Sequence, residues 1–223
     1  MSTAVAVCEC QTVGAPQQIR FCVEHHRYWY GDKRLTSFSA LLREVYPQKQ
    51  EELAKIDPGT LEHARDRGSR VDRYVSEYAR SGNVTIQPGE WLEVVERVSI
   101  FADWFLANKP EVRGVQQVVY NLEDGIAATK DFDFVLQGNP VICDLKCTYS
   151  PDWTWKAQLG CHARYSKNGA DLYVLHINPK LYEKQGGVRL LPYNSVECLR
   201  IFDAAVAWWR ELPTKKSDND ESS

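Results

Sequence analysis

The stretch Ile126-Ala-Ala-Thr-Lys-Asp131-Phe-Asp133-Phe-Val-Leu136, the turn Gln137-Gly138-Asn139, and the run Pro140-Val-Ile-Cys-Asp144-Leu-Lys146-Cys147 decide how this chain folds. Two runs rich in β-branched and aromatic residues flank a short Gly-containing turn, which predicts an antiparallel hairpin over 126–136 and 140–147. Side chains alternate along a strand, so Asp144 and Lys146 share one face while Cys143, Leu145 and Cys147 take the other. The partner strand brings the carboxylate of Asp131 or Asp133 toward the same edge. Two carboxylates and an ammonium brought together suit phosphodiester hydrolysis. The aspartates can hold Mg²⁺ or Mn²⁺ against a phosphoryl oxygen, and the lysine can orient or help deprotonate the attacking water. Asp-x-Lys by itself is equally the pattern of an exposed ion pair on a half-solvated strand, so the surrounding elements have to decide.

Upstream, Arg27 to Leu35 reads as a hairpin around Gly31-Asp32, and Thr36 or Ser37 caps a helix running to Tyr46 before Pro47. Apolar residues at Leu61, Ala64, Gly68, Val71, Val75 and Tyr78 predict an amphipathic helix ending near Gly82. Trp91, Val94, Val95, Val98, Phe101 and Phe105 predict a second, closed by Lys109-Pro110. Strands follow at Val115–Leu122 and through the hairpin, then a helix over Asp152–Tyr165 and strands at Asp171–Ile177 and Val188–Leu191. A closing helix is striped by Val196, Leu199, Phe202, Val206 and Trp209. No internal repeat is found.

This order of elements, with Asp131 on one strand and Asp144-Leu-Lys146 on the next, resembles the core of the PD-(D/E)XK nucleases. Ala127-Ala-Thr-Lys-Asp131 is similar to the Gly-Thr-x-Asp of their RecB-like, phage exonuclease-like branch, with Ala128 in place of the glycine. Gln158-Leu-Gly-Cys-His162-Ala163 resembles that branch's Gln-Leu-x-x-Tyr-Ala, with His162 in place of tyrosine, and Arg67-Gly-Ser-Arg-Val-Asp72 resembles Arg-Gly-x-x-Val-His, with Asp72 in place of histidine. The resemblance covers roughly residues 60–180. It implies an α/β, restriction-endonuclease-like fold in which a central mixed sheet is flanked by helices. It also implies catalytic Asp131, Asp144, Lys146 and Gln158, and metal ligation by Asp131, Asp144, the Leu145 carbonyl and, as a possible fourth, Asp72. The strand before Asp131 often carries a glutamate in that family. Here Gln116 and Gln117 stand nearest, with Glu123 a substitute. The implied domain spans residues 36–212, after a Cys/His-rich segment 1–35 and before a polar tail 213–223.

In the first segment Cys8, Cys10 and Cys22, with His25 or His26, have spacings compatible with a structural Cys₃His zinc site, His25 being the ligand preferred. Ordinary buried thiols are the alternative. An iron–sulfur cluster, found in members of the family, is disfavoured because only Cys198 lies late in the chain. Aromatic and basic residues interleave just after the Asp144 strand. Trp153, Trp155, Lys156 and His162 are therefore candidate DNA contacts, against the alternative that the tryptophans cover the core.

The bulk numbers fit an ordinary globular protein of 223 residues, with 43% hydrophobic and 26% charged residues. The net charge of −3 gives no global basic field, which is compatible with a site that concentrates carboxylates around a cation. Seven scattered cysteines, no signal-peptide pattern and no run of roughly 18–20 apolar residues point to a cytoplasmic protein with no membrane span; the resemblance implies the cytoplasm of a bacterium or a phage-infected host. Three readings follow. The first is a Mg²⁺- or Mn²⁺-dependent deoxyribonuclease, an exonuclease of phage recombination or repair type, with DNA as partner and a homo-oligomer or a recombination or host protein as further partners. The second is a catalytically silent DNA-binding module of the same fold. The third is a zinc-organised phage factor that binds other proteins.

Overall fold

The computed structural model describes residues 19–22, 27–166 and 168–213. The elements run β1 (Ile19–Cys22), β2 (Arg27–Tyr30), β3 (Lys33–Ser37), α1 (Phe38–Val45), α2 (Pro47–Leu53), α3 (Pro58–Ser81), α4 (Leu92–Asn108), β4 (Glu111–Asn121), β5 (Ile126–Leu136), β6 (Asn139–Lys146), α5 (Thr154–Ser166), β7 (Asp171–Ile177), β8 (Val188–Tyr193) and α6 (Ser195–Glu211). Local chemistry sets the boundaries. Ser37 caps α1 by accepting from the Ala40 amide, Asp57 caps α3 through Thr60, and Asn194 caps α6 through Glu197. Gly82 closes α3 with φ 74°, and Lys109 adopts φ 45° to end α4 before Pro110. Every strand and helix expected from the sequence is present. β1 and α2 were not expected, and α2 buries none of its residues, so it carries no apolar stripe to read.

All eight strands belong to one mixed sheet flanked by helices on both faces. β3 pairs with β5, and β6 with β7, in parallel, and the remaining pairs are antiparallel. The boundary expected after residue 35 falls inside β3, whose Thr36 and Ser37 pair with Ile126 and Ala127. On one face α3 and α4 press Val71, Val75, Val98 and Phe101 against Phe132, Phe134, Cys143 and Leu145. On the other, α1, α5 and α6 cover Val119, Ile126 and Ala128, and Trp155 and Leu159 of α5 cover Ile142 and Val174. Each large side chain so enclosed contributes about 1.5–3 kcal/mol relative to exposure. Among the described residues no helix is long and apolar enough to cross a membrane.

The central strand β5 explains where a site can form. One edge pairs with β4 along nearly its whole length. The other edge is divided, with β3 holding Ile126–Ala127 and β6 holding Phe132–Leu136. Residues 128–131 lie in the gap between them. The alternation of side chains is also reset there, because Ala128 faces α5 while Phe132 and Phe134 face α3 and α4. Opposite the gap, Gln116 of β4 has φ 53°, and the register is the same on both sides of it (Gln117↔Lys130, Val115↔Phe132), so the two strands share one irregular step.

α5 and α6 approach closely at Gly160, where an added Cβ would lie 2.2 Å from the Cys198 carbonyl oxygen and 2.8 Å from Phe202 Cβ. Gly160→Ala is therefore expected to destabilise the fold by about 1–3 kcal/mol through overpacking, despite alanine's higher helix propensity. A lower urea midpoint at unchanged m-value would show it.

Candidate active site

Asp131 and Asp144 meet where β5 and β6 part. The ladder between these strands ends at Phe132↔Cys143, and at the next step the Asp131 side chain takes the place of a backbone carbonyl, its Oδ2 accepting from the Leu145 amide at 2.7 Å. Lys146 Nζ lies 2.5 Å from Asp144 Oδ2, in ion-pair contact but off the direction of a hydrogen bond. From β4, Gln116 Nε2 donates to Asp72 Oδ1 at 2.9 Å, and reaches Ser76 Oγ and Asp131 Oδ1 at 3.3 Å. The neutral amide thus ties the α3 carboxylate to the β5 carboxylate, and Gln116 rather than Gln117 is the residue that enters the site. Glu123 does not enter. It is exposed in the β4–β5 turn, beyond the Asn121↔Ile126 end of the ladder.

Three carboxylates this close cannot all ionise freely. Burial, then the charge of Asp144, pushes Asp72 up to about 6. Burial, then Asp144 and Asp72, raises Asp131 well above the usual carboxylate range. Asp144 is lowered: burial opposes its ionisation, but the Lys146 ammonium in contact with it outweighs that. Lys146 is raised, since Asp144 and Asp131 overcome the burial that would otherwise discharge it. The resting cluster pairs Asp144, lowered by the Lys146 ammonium, with Asp131 and Asp72, both raised by burial and by the charge of Asp144.

Among the described residues no three His, Cys, Asp or Glu side chains stand in a coordinating cluster; the Gln116 amide lies between Asp72 and Asp131, and the Lys146 ammonium is in contact with Asp144. The donors are nonetheless the hard oxygens that Mg²⁺ and Mn²⁺ take: Asp72, Asp131, Asp144 and the Leu145 carbonyl. Gln158 on α5 buries an amide oxygen with no partner. The chemistry of the set fits a divalent cation, provided that Lys146 and Gln116 turn aside.

Several sequence expectations need correction. Trp155 is 3% exposed and packs edge-on against His176, so its ring has no face to offer a base. His162 is 4% exposed and so is enclosed rather than presented to DNA, whereas Lys156 forms a surface ion pair with Glu197 at 2.6 Å, an exchangeable contact. Of the four candidate contacts, Trp153 is the one with an open ring. It is 47% exposed and edge-on to Tyr46, itself near Trp208. Arg67 and Arg70 of α3 are engaged by Glu93 and Glu90, with Arg70 stacked over Trp91, so they clamp α3 to the start of α4. Of the expected zinc ligands, Cys22 is buried at the end of β1, while Cys8, Cys10 and His25 lie outside the described residues.

No protein-family model and no curated protein matches the chain. Among solved structures it is similar to one described as the crystal structure of SSO0001, with 16% identity over 77% of this chain and 85% of that one at a TM-score of 0.31. It is also similar to an alkaline exonuclease from Laribacter hongkongensis, with 12% identity over 65% of this chain and 83% of that one at a TM-score of 0.38. Likenesses this distant carry no weight for function.

Burial holds the His162 imidazole down to about 4, against 6.5 for the free group. The unfolded chain therefore takes up a proton between pH 6.5 and about 4 that the folded chain refuses, and stability falls as pH falls across that window. Asp72, raised from 3.8 to about 6, acts in the opposite sense: its stabilising contribution is present at low pH and is lost as pH rises to about 6. His162→Gln is thus expected to flatten or reverse the acid-side loss of stability, read as the unfolding midpoint at a series of pH values. An unchanged slope would contradict the neutral, enclosed imidazole.

Proposed function

We propose that this protein is a divalent-metal-dependent nuclease that hydrolyses DNA phosphodiesters. The observation that carries the reading is the meeting of Asp131, Asp144 and Lys146 at the gap in β5's edge, with Asp72 joined to them through Gln116. A buried acid cluster of this size is costly to a fold unless a cation uses it.

In this reading Asp131 and Asp144 hold the cation, with the Leu145 carbonyl and Asp72 completing its oxygen ligands. When bound, Mg²⁺ or Mn²⁺ supplies positive charge to a phosphoryl oxygen and makes its water more acidic. Lys146 keeps its proton, since its neighbours raise it. Its role is to orient the attacking water and to balance charge on the phosphate. Gln158 offers its unpaired amide oxygen to Lys146 or to the DNA strand. The finer assignment, an exonuclease of phage recombination type, rests on the sequence resemblance of the Asp131, Asp144-Leu-Lys146 and Gln158 motifs.

The test is digestion of end-labelled linear DNA and covalently closed circular DNA across a screen of divalent metals. Degradation of the linear form with Mg²⁺ or Mn²⁺ is expected, with the circle spared. Asp144→Asn and Lys146→Ala, checked for folding by circular dichroism, are expected to lower the rate about 100-fold or more. Cleavage that persists in both variants, or that needs no metal, would overturn the assignment.

A further inference from the structure

The Gln116 side chain holds a position that a neutral group fills poorly. Its amide nitrogen faces three acceptors at once: Asp72 Oδ1 at 2.9 Å, and Ser76 Oγ and Asp131 Oδ1 at 3.3 Å. An amide nitrogen carries two hydrogens, so it cannot satisfy three acceptors fully. Two of the three are carboxylate oxygens, whose mutual repulsion a dipole offsets less well than a charge does. A nitrogen set among carboxylate and hydroxyl oxygens therefore occupies the kind of place that a hard cation takes.

The division of labour on Asp131 sharpens this. Its Oδ2 accepts from the Leu145 amide, and that bond ties β5 to β6 where the strands part. Oδ1 is the oxygen left to meet a cation, and the Gln116 amide sits on it. Asp72 likewise turns its Oδ1 to Gln116. An ion shared by Asp72 and Asp131 thus competes with the amide for the same two oxygens. The way in is open, since Asp72, Gln116 and Asp131 each keep some exposed surface. The way out is open too. Val115 and Gln117 pair with β5 but Gln116 does not, so its side chain turns about its own single bonds without disturbing the ladder.

We propose that Gln116 is a displaceable stand-in for the divalent cation: its amide holds Asp72 and Asp131 together before the ion binds, and leaves both when it does. The inference rests on the nuclease reading for the presence of a cation, and deepens it by naming a residue that sets the ion's affinity. Binding that has to displace a stabilising contact is weakened by the stability of that contact. Removing the contact therefore tightens the ion and loosens the metal-free protein by related amounts. A residue that serves packing alone has no such linkage.

The test measures Mn²⁺ binding to the full-length protein through the loss of the free-ion signal in electron paramagnetic resonance. Urea unfolding of each protein is followed in EDTA and in saturating Mn²⁺. Gln116→Ala and Gln116→Met both remove the amide, and methionine keeps a side chain of similar length. Each is expected to bind Mn²⁺ about tenfold more tightly than the wild type, the effect of releasing hydrogen bonds to charged acceptors. Each is expected to unfold at lower urea in EDTA, with the gap to the wild type closing once Mn²⁺ saturates the site. Asp131→Asn is expected to lose the bound ion.

Affinity that is unchanged or weaker in both glutamine variants overturns the stand-in, weaker binding making Gln116 a ligand in its own right. A stability gap that persists in saturating Mn²⁺ marks Gln116 as packing only and overturns it as well. Retention of the ion by Asp131→Asn does the same, by locating the ion elsewhere. If none of the proteins binds Mn²⁺, the stand-in and the metal-dependent nuclease both fall. Tighter binding in the two variants without any DNA cleavage keeps the stand-in and removes the nuclease, whereas metal-dependent cleavage with unchanged affinity does the reverse.

Discussion

The hydrogen bond from the Leu145 amide to the Asp131 carboxylate is the contact on which the rest of the site depends. A sheet whose strands pair along their full length has no room for a side chain between them, because backbone carbonyls take every amide. Here β6 leaves β5 after Cys143 while its other edge stays paired with β7, and one amide at the parting is taken by a side chain. That substitution draws a carboxylate into the space between the strands and keeps it beside Asp144. Neither the packing of Phe132 against Phe101 on one face nor the cover of α5 on the other would bring the two acids together without it.

Charge balance then governs what the cluster can be. An isolated ionised carboxylate in such surroundings would cost several kcal/mol. The protein reduces that cost in two ways: an ammonium against Asp144, and a neutral amide shared by Asp72 and Asp131. Gln116 is central to the second. Its left-handed backbone at the irregular step in β4 belongs to the same distortion that resets the faces of β5. Strain of this kind persists where surrounding structure over-determines it, and it is concentrated at functional positions.

Much of this was legible in the sequence, for identifiable reasons. The hairpin over Ile126–Leu136 and the following strand is announced by its turn residues and its alternation, and α3 and α4 by apolar spacing bounded by Gly82 and Lys109-Pro110. That Asp144 and Lys146 share a face near an aspartate of the neighbouring strand follows from strand geometry, whereas the choice of Asp131 over Asp133 rests on the resemblance. The roles of Gln116, Trp155 and the α3 arginines do not. A positive φ within a strand leaves no mark in composition, and a tryptophan at a helix start reads alike whether it faces solvent or core. Nothing in the spacing of Arg67 and Arg70 announces that Glu93 and Glu90, at and just before the start of α4, engage them. The buried Lys130–Asp133 ion pair was equally hidden, since an i,i+3 pair along a regular strand would point to opposite faces.

The parallel pairing of Thr36 and Ser37 with Ile126 and Ala127 has a bearing on how the chain reaches this fold. During synthesis the β2–β3 hairpin emerges early, but the strand it must join is made some ninety residues later, after α1 to α4 and β4. Closing so long a loop is entropically slow, and until it closes one strand edge stays unprotected. The early hairpin is therefore a late arrival in folding, and the helices that follow it have time to form before the sheet is complete.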